Sequence, residues 1–101
     1  MLHPVHKVVL PTKSKCKVAI PDGSSLLKSG VQTIEGEPRI CVWYISGSGE
    51  SVEVEFAQLG TGLEVPDGFS YLGTVQFDQN GSELVQHQFF KPQSGIHKLV
   101  G

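Results

Sequence analysis

Between its glycines and prolines the chain carries short apolar runs that repeat in steps of two. The clearest is Ser51–Leu59, SVEVEFAQL, in which Val52, Val54 and Phe56 fall on one face and Glu53 and Glu55 on the other. That alternation marks a strand with one buried side and one wet, acidic side. Comparable runs at Val5–Leu10, Lys15–Ile20, Leu26–Ile34, Arg39–Ile45, Ser70–Phe77 and Glu83–Phe90 bring the predicted strands to seven. Pro, Gly, Asn and Asp clusters separate them, and no stretch holds helical periodicity for three turns. The expected fold is therefore all-β: a single domain over 1–101, built as a small antiparallel sandwich or roll of about seven strands with little or no helix. Ser24–Ser29 is the one stretch that could supply a short helical turn.

Two strands carry more than an alternation. Arg39–Ile45 is apolar at consecutive positions from Ile40 to Ile45. Such a strand needs cover on both faces, from a second sheet or from a partner subunit. Asn80-Gly81 suits a two-residue type I′ hairpin, because both residues readily take positive φ. Centred there, the hairpin sets Gln79 opposite Ser82, Phe77 opposite Leu84 and Thr74 opposite His87. Tyr71, Val75, Phe77, Leu84 and Phe90 then share one face, and Leu72, Thr74, Gln76, Val85, His87 and Phe89 the other.

The chain also repeats itself. Ile20-Pro21-Asp22-Gly23 returns as Val65-Pro66-Asp67-Gly68, with Ser25/Ser70 and Leu27/Leu72 in step, and Val31-Gln32 matches Val75-Gln76 after a one-residue deletion. Either a favoured turn has been used twice, or two related β units each carry a glutamine that needs hydrogen-bond partners.

Composition adds limits. With 39% hydrophobic and 18% charged residues, the 101-residue chain is an ordinary globular domain able to bury a modest core. No apolar run approaches the roughly 18 residues of a membrane span, and the first residues lack the apolar core of a signal peptide, so the expected compartment is the cytosol. Cys16 and Cys41 match no zinc spacing and are expected as reduced sheet residues. The net charge of −2 hides an asymmetry: five lysines against Asp22 in Met1–Lys28, then nine acids against Arg39 in Ser29–Val85. A basic edge of this kind protects a strand from aggregation, collects an anion, or meets the acidic half of another copy.

Candidate chemistry is thin. His3 and His6 lack a third ligand, and the shared face of Glu53 and Glu55 is flanked by valines that point to a solvated surface. Gly60-Thr61-Gly62 is either an ordinary turn or a backbone nest in which Thr61 and Gly62 hold a phosphate oxygen. Arg39 is the chain's one arginine and lies near its one tryptophan, Trp43. They form either a strand-edge ion pair with Glu37 beside a core tryptophan, or a guanidinium fork and stacking platform for a nucleotide. His87 is either a hydrogen-bonded strand residue or a ligand contact. No catalytic or metal set emerges, and no cofactor is implied.

The run GTGLEVPDGFSYLGTVQFDQNGSELVQHQFF, Gly60–Phe90, resembles the C-terminal half of a family of small bacteriophage proteins. The shared pattern is Gly-Thr-Gly, Pro, Tyr-x-Gly-Thr-x-Gln, a Gly turn, then an aliphatic-Val-x-His-x-Phe ending. Upstream, VHKVVLP, VAIPDGSSLL and VQTIEGEPRICVWYI are similar to that family's opening strand, Pro-x-Gly turn and Trp-bearing hairpin. The likeness spans Val5–Phe90. Gln86 stands where the family often has an aromatic, and Lys91–Gly101 has no counterpart, so 91–101 is expected as a tail.

Size and β content are also similar to those of phage anti-defence sponges. The resemblance implies a non-enzymatic phage accessory protein of the host cytoplasm that sequesters a cyclic nucleotide or cyclic ADP-ribose immune signal without cleaving it. It implies a homo-oligomer, with neither long nucleic acid nor membrane as partner. Arg39, Trp43, Thr61, Gly62, Gln76 and His87 are then the candidate ligand-binding residues. A protein-binding inhibitor of a host defence enzyme, a small virion or assembly component, and a small enzyme remain open.

Overall fold

Asn80, at φ 52°, and Gly81, at φ 80°, form the expected two-residue hairpin turn, and Glu35 (52°) with Gly36 (81°) forms a second of the same kind. Around them the computed structural model, which describes residues 2–99, sets eight strands and no helix. They are β1 Val5–Val9, β2 Lys15–Pro21, β3 Ser25–Ile34, β4 Glu37–Ile45, β5 Ser51–Gly60, β6 Ser70–Gln79, β7 Ser82–Phe90 and β8 His97–Lys98. Two four-stranded sheets result, ordered β1-β4-β3-β8 and β2-β5-β7-β6. Ile40, Val42 and Tyr44 of the first sheet face Val54, Phe56 and Phe90 of the second, with Leu10, Ile20 and Leu26 completing the core between them.

All seven expected strands form, and the β6–β7 register is the expected one, Thr74 opposite His87 and Phe77 opposite Leu84. Three expectations fail. Ser24–Ser29 makes no helical turn, because from Ser25 onward the segment pairs with β4. A bulge between Tyr71 and Gly73 flips the start of β6, so Leu72 is buried and Tyr71 points outward. The residues after β7 do not trail away as far as they are described: β8 pairs in parallel with β3, and Ile96 is fully buried. The rest of that expected tail, 100–101, lies outside the described residues.

The repeated phrase is structural. β3 and β4 recur as β6 and β7 at an offset of 45 residues with no gap, down to the opposing pairs Ser25↔Ile45 and Ser70↔Phe90 and a bulge at the aligned Leu27 and Leu72. Each Pro-Asp-Gly turn closes by a bond to the Pro carbonyl, from the N–H of Ser24 in one and of Phe69 in the other, with the glycine at φ 87° or 82°. That is the geometry of a type II turn, which calls for glycine at its third position. A third strand joins each hairpin on the same side: β1 pairs with β4 and β5 with β7.

The two units stack with opposite faces inward. In the first sheet Ile40, Val42 and Tyr44 face the core, whereas their counterparts Val85, His87 and Phe89 face outward in the second. The counterpart of Gln32 is Phe77 and that of Gln76 is Val31, so the two glutamines are not equivalent. Both are exposed: Gln32 accepts a bond from Lys7 Nζ at 2.6 Å, and Gln76 donates to Glu83.

The sheets come closest where β3 crosses β6. Ser29 Oγ donates to Gln88 Oε1 at 2.7 Å, and Gln88 Nε2 donates to the Gln86 carbonyl at 3.0 Å. A Cβ on Gly73 would collide with Ser29 Oγ. Gly73→Ala is therefore expected to cost about 1–3 kcal/mol through overpacking alone, since its backbone is not left-handed. Urea denaturation should show a lowered midpoint with an unchanged slope, and an unshifted midpoint would refute the close crossing.

Candidate functional site

The six residues singled out from sequence do not form one site within a single copy. Arg39 and Trp43 sit on β4 facing away from the core, on the outside of the first sheet. His87 on β7 and Gln76 on β6 face outward from the second sheet. Thr61 and Gly62 form the turn after β5, closed by the Leu63 N–H on the Gly60 carbonyl, with Gly62 at φ 97°. Period-two parity thus divides the set between opposite faces of the sandwich.

On the first face Lys7, Trp43 and Lys28 lie side by side across β1, β4 and β3, with Arg39 two positions along from Cys41. Lys28 Nζ stands 5.9 Å from the centroid of the Trp43 ring, a cation–π distance. The indole leans over Gly30, where a Cβ would come within 3.0 Å of it. Arg39 donates through Nη2 to the Leu10 carbonyl at 3.2 Å, not to Glu37, and its buried Nε has no partner among the described residues. Cys41 is fully buried on this face, between β4's neighbours Val9 and Gly30. Of the double cover expected for Arg39–Ile45, the second sheet supplies one side, over Ile40, Val42 and Tyr44; on the other side Trp43 stays half-buried.

On the opposite face His87 joins a chain of hydroxyls. Its Nε2 is 2.9 Å from Thr61 Oγ1 and its Nδ1 2.9 Å from Thr74 Oγ1, which in turn is 2.6 Å from the Tyr71 hydroxyl. A neutral imidazole donates from one nitrogen and accepts at the other, so this chain occupies both. His87 and Thr61 therefore meet as partners of each other. Tyr71 also packs edge-on against Phe89 at 5.6 Å and lies under Lys98 Nζ, also at 5.6 Å.

Sequence reasoning missed a third place. At the end of the sandwich where the two hairpin tips project, inward-facing residues of both sheets leave a cleft of about 400 Å³. Ile40, Phe77 and Leu84 supply apolar walls, Gln58 and Gln86 supply amides, and Lys13 stands at the rim. The Gln58 NH2 is committed to the carbonyls of Pro11 and Lys13 at 2.8 and 2.9 Å. It pins the loop between β1 and β2 over the mouth. None of the six sequence candidates lines this cleft. The one signal available in sequence was the run of glutamines at Gln58, Gln79 and Gln86, each separated by many residues and uninformative alone.

Neither thiol is an activated nucleophile. Burial raises the pKa of both above the ordinary 9.0, overriding Lys13 beside Cys16 and Lys7 and Arg39 around Cys41. Among the described residues no group of three His, Cys, Asp or Glu side chains is placed to hold a metal ion.

These features define an all-β sandwich of eight short strands, organised as two related hairpin units with a polar-rimmed cleft at one end. The chain belongs to the family described as a domain of unknown function, DUF7352, whose model matches residues 1–98. No curated protein and no solved structure matches it.

The thiols give a pH prediction. Their protons are held more tightly in the folded than in the unfolded chain, so their contribution to stability is full below about pH 9 and is lost as pH rises through the raised folded values. Urea midpoints should fall between about pH 7 and about pH 10, and the fall should shrink in a Cys16→Ala/Cys41→Ala variant. An identical fall in both proteins would contradict the burial of these groups.

Proposed function

We propose that this protein binds and sequesters a small nucleotide-type ligand, of the cyclic nucleotide or cyclic ADP-ribose class, without cleaving it. The setting proposed with it is that of a phage accessory protein acting against a bacterial immune signal in the host cytoplasm. The observation that carries the reading is the cleft between the hairpin tips. Its volume of about 400 Å³ lies within the roughly 300–1,000 Å³ of small-molecule sites. Apolar walls of Ile40, Phe77 and Leu84 suit a flat ring, and the Gln86 amide can donate to and accept from a base edge. Lys13, with the hydroxyls of Thr12 and Ser14 on the same loop, offers a cation and donors to phosphate. Sequestration requires only such a preformed pocket, with no group that moves a proton or attacks a bond.

The test is a panel of cyclic mono- and oligonucleotides and cyclic ADP-ribose isomers. A ligand at a hundredfold excess over Kd stabilises the native state by about 2.7 kcal/mol, which raises the melting temperature on the order of 10 °C for a domain of this size. The same ligand should be recovered chemically intact, and Leu84→Trp, which fills the cleft, should abolish the shift while leaving the unliganded protein folded. If the whole panel leaves the melting temperature unmoved, sequestration fails and a protein-binding inhibitor becomes the better reading. Recovery of an altered ligand would make the protein an enzyme.

A further inference from the structure

The repeated hairpin unit has two faces, and this chain uses each of them once. The core-forming contact sets Ile40, Val42 and Tyr44 of the first unit against Gln86, Gln88 and Phe90 of the second. Left outward are the first unit's face bearing Arg39, Cys41 and Trp43, which is the counterpart of the second unit's core face, and the second unit's face bearing Val85, His87 and Phe89, which is the counterpart of the first unit's core face. Each free face is thus the type that the other type packs against inside the molecule.

Charge distinguishes them further. The first face presents Lys7, Lys28 and Arg39 across its three strands, with Glu37 at the hairpin end as the carboxylate on the same side. The second presents Asp78 and Glu83 as an opposed pair at the β6–β7 tip. Its other charged groups are Lys98, whose Nζ lies 5.6 Å from the Tyr71 ring at the start of β6, and a mixed set toward β2, where Lys15 and Lys17 stand beside β5, the carboxylates Glu53 and Glu55 interleave with them, and Lys91 bridges Glu55 at 3.7 Å. Both faces also expose apolar side chains, Val5 at 59% on the first and Tyr71 at 51% on the second.

We propose that the outer face of the first sheet in one copy docks on the outer face of the second sheet in another, a head-to-tail contact between copies of this chain. Opposite charge favours the contact, the face that carries Lys7 and Lys28 meeting the face that carries Asp78 and Glu83. The contact is heterologous, so it closes into a ring or continues as a stack according to the rotation between copies, and does not make a two-fold dimer. It is held wider than the contact inside the chain. Lys28 occupies the position equivalent to Gly73, whose missing side chain lets the two internal sheets touch at Ser29. This assembly is independent of the cleft, whose lining includes none of the charged residues of the two docking faces.

A charge swap tests it on exposed residues that the core does not need. Lys7→Glu/Lys28→Glu reverses the first face, and Asp78→Lys/Glu83→Lys reverses the second. Wild-type protein should self-associate in sedimentation velocity at low salt, weakening as salt screens the contact. Each double variant should remain monomeric at concentrations at least tenfold above those at which wild type associates. Mixing the two at equal ratio should restore association, because every junction then pairs opposite charges. Circular dichroism on each variant establishes that it is folded. A monomeric wild type at every concentration up to about 500 µM, well beyond the range of a physiological contact, would overturn the proposal. So would self-association of either folded variant alone, or a mixture that stays monomeric.

Discussion

The structure turns on one crossing, where the Ser29 hydroxyl reaches across to the fully buried Gln88 amide at 2.7 Å over the bare backbone of Gly73. A buried amide without partners would cost on the order of 1–3 kcal/mol, so Gln88 fixes the sheets where its two bonds can be made. Ser29 offers the hydroxyl because it faces inward opposite Val42, and Gly73 offers the space because the bulge at Leu72 has set it on the inner side. Sheet pairing alone would let the layers slide over an apolar interface. The polar bond selects one position, and the apolar core that includes Leu72, Phe90 and Ile96 is built with the sheets held there.

The same crossing explains why the repeat is visible as grammar and invisible as composition. Equivalent residues of the two units face opposite surroundings: Val42 is core and its counterpart His87 is outer, while Trp43 is outer and its counterpart Gln88 is core. Arg39 corresponds to Leu84 and Cys41 to Gln86. Features that set the backbone survive in both units: the Pro-Asp-Gly turn, the bulged leucine, and the positive-φ pairs Glu35-Gly36 and Asn80-Gly81. A backbone plan does not depend on which face is dry, but side-chain polarity does. Pairing Val31-Gln32 with Val75-Gln76 followed side-chain identity, and it slipped by one residue from the geometric match.

Strands and hairpins were legible because their signals are local. Gly and Pro punctuation with the apolar runs between located seven of the eight strands, and Asn80-Gly81 set a register that holds along β6 and β7 down to Gly73. The bulge at Leu72 was not legible, since nothing in SYLGTVQ distinguishes an extra residue from a continuing strand, and Tyr71 consequently changed faces. β8 escaped because two residues pairing with a distant strand leave no periodicity. Of the candidate site, the meeting of His87 with Thr74 followed from the hairpin, and the meeting with Thr61 required β5 beside β7, a pairing between strands that are not consecutive. The separation of Arg39 and Trp43 from the other four has the same source: strand parity is local, but which side of each sheet faces the other is decided only when the sheets stack.

The cleft follows from the crossing by the ordinary twist of sheets. Two layers fixed in close contact at Ser29 and Gly73 rotate apart as their strands run on toward the hairpin tips. Beyond that point inward-facing residues lose their partners across the gap, which leaves Val31 36% exposed and Ile40, Phe77 and Leu84 half-buried. Exposing apolar surface costs about 25 cal/mol for each Å² left wet, and larger side chains at these positions would have closed the gap. The Gln58 amide instead ties the β1–β2 loop over the opening through the carbonyls of Pro11 and Lys13, which holds the mouth in shape. A pocket made in this way is a property of how two sheets diverge, assembled from five separate segments of chain. Short motifs cannot announce such a pocket, because its walls come together only when the two sheets stack.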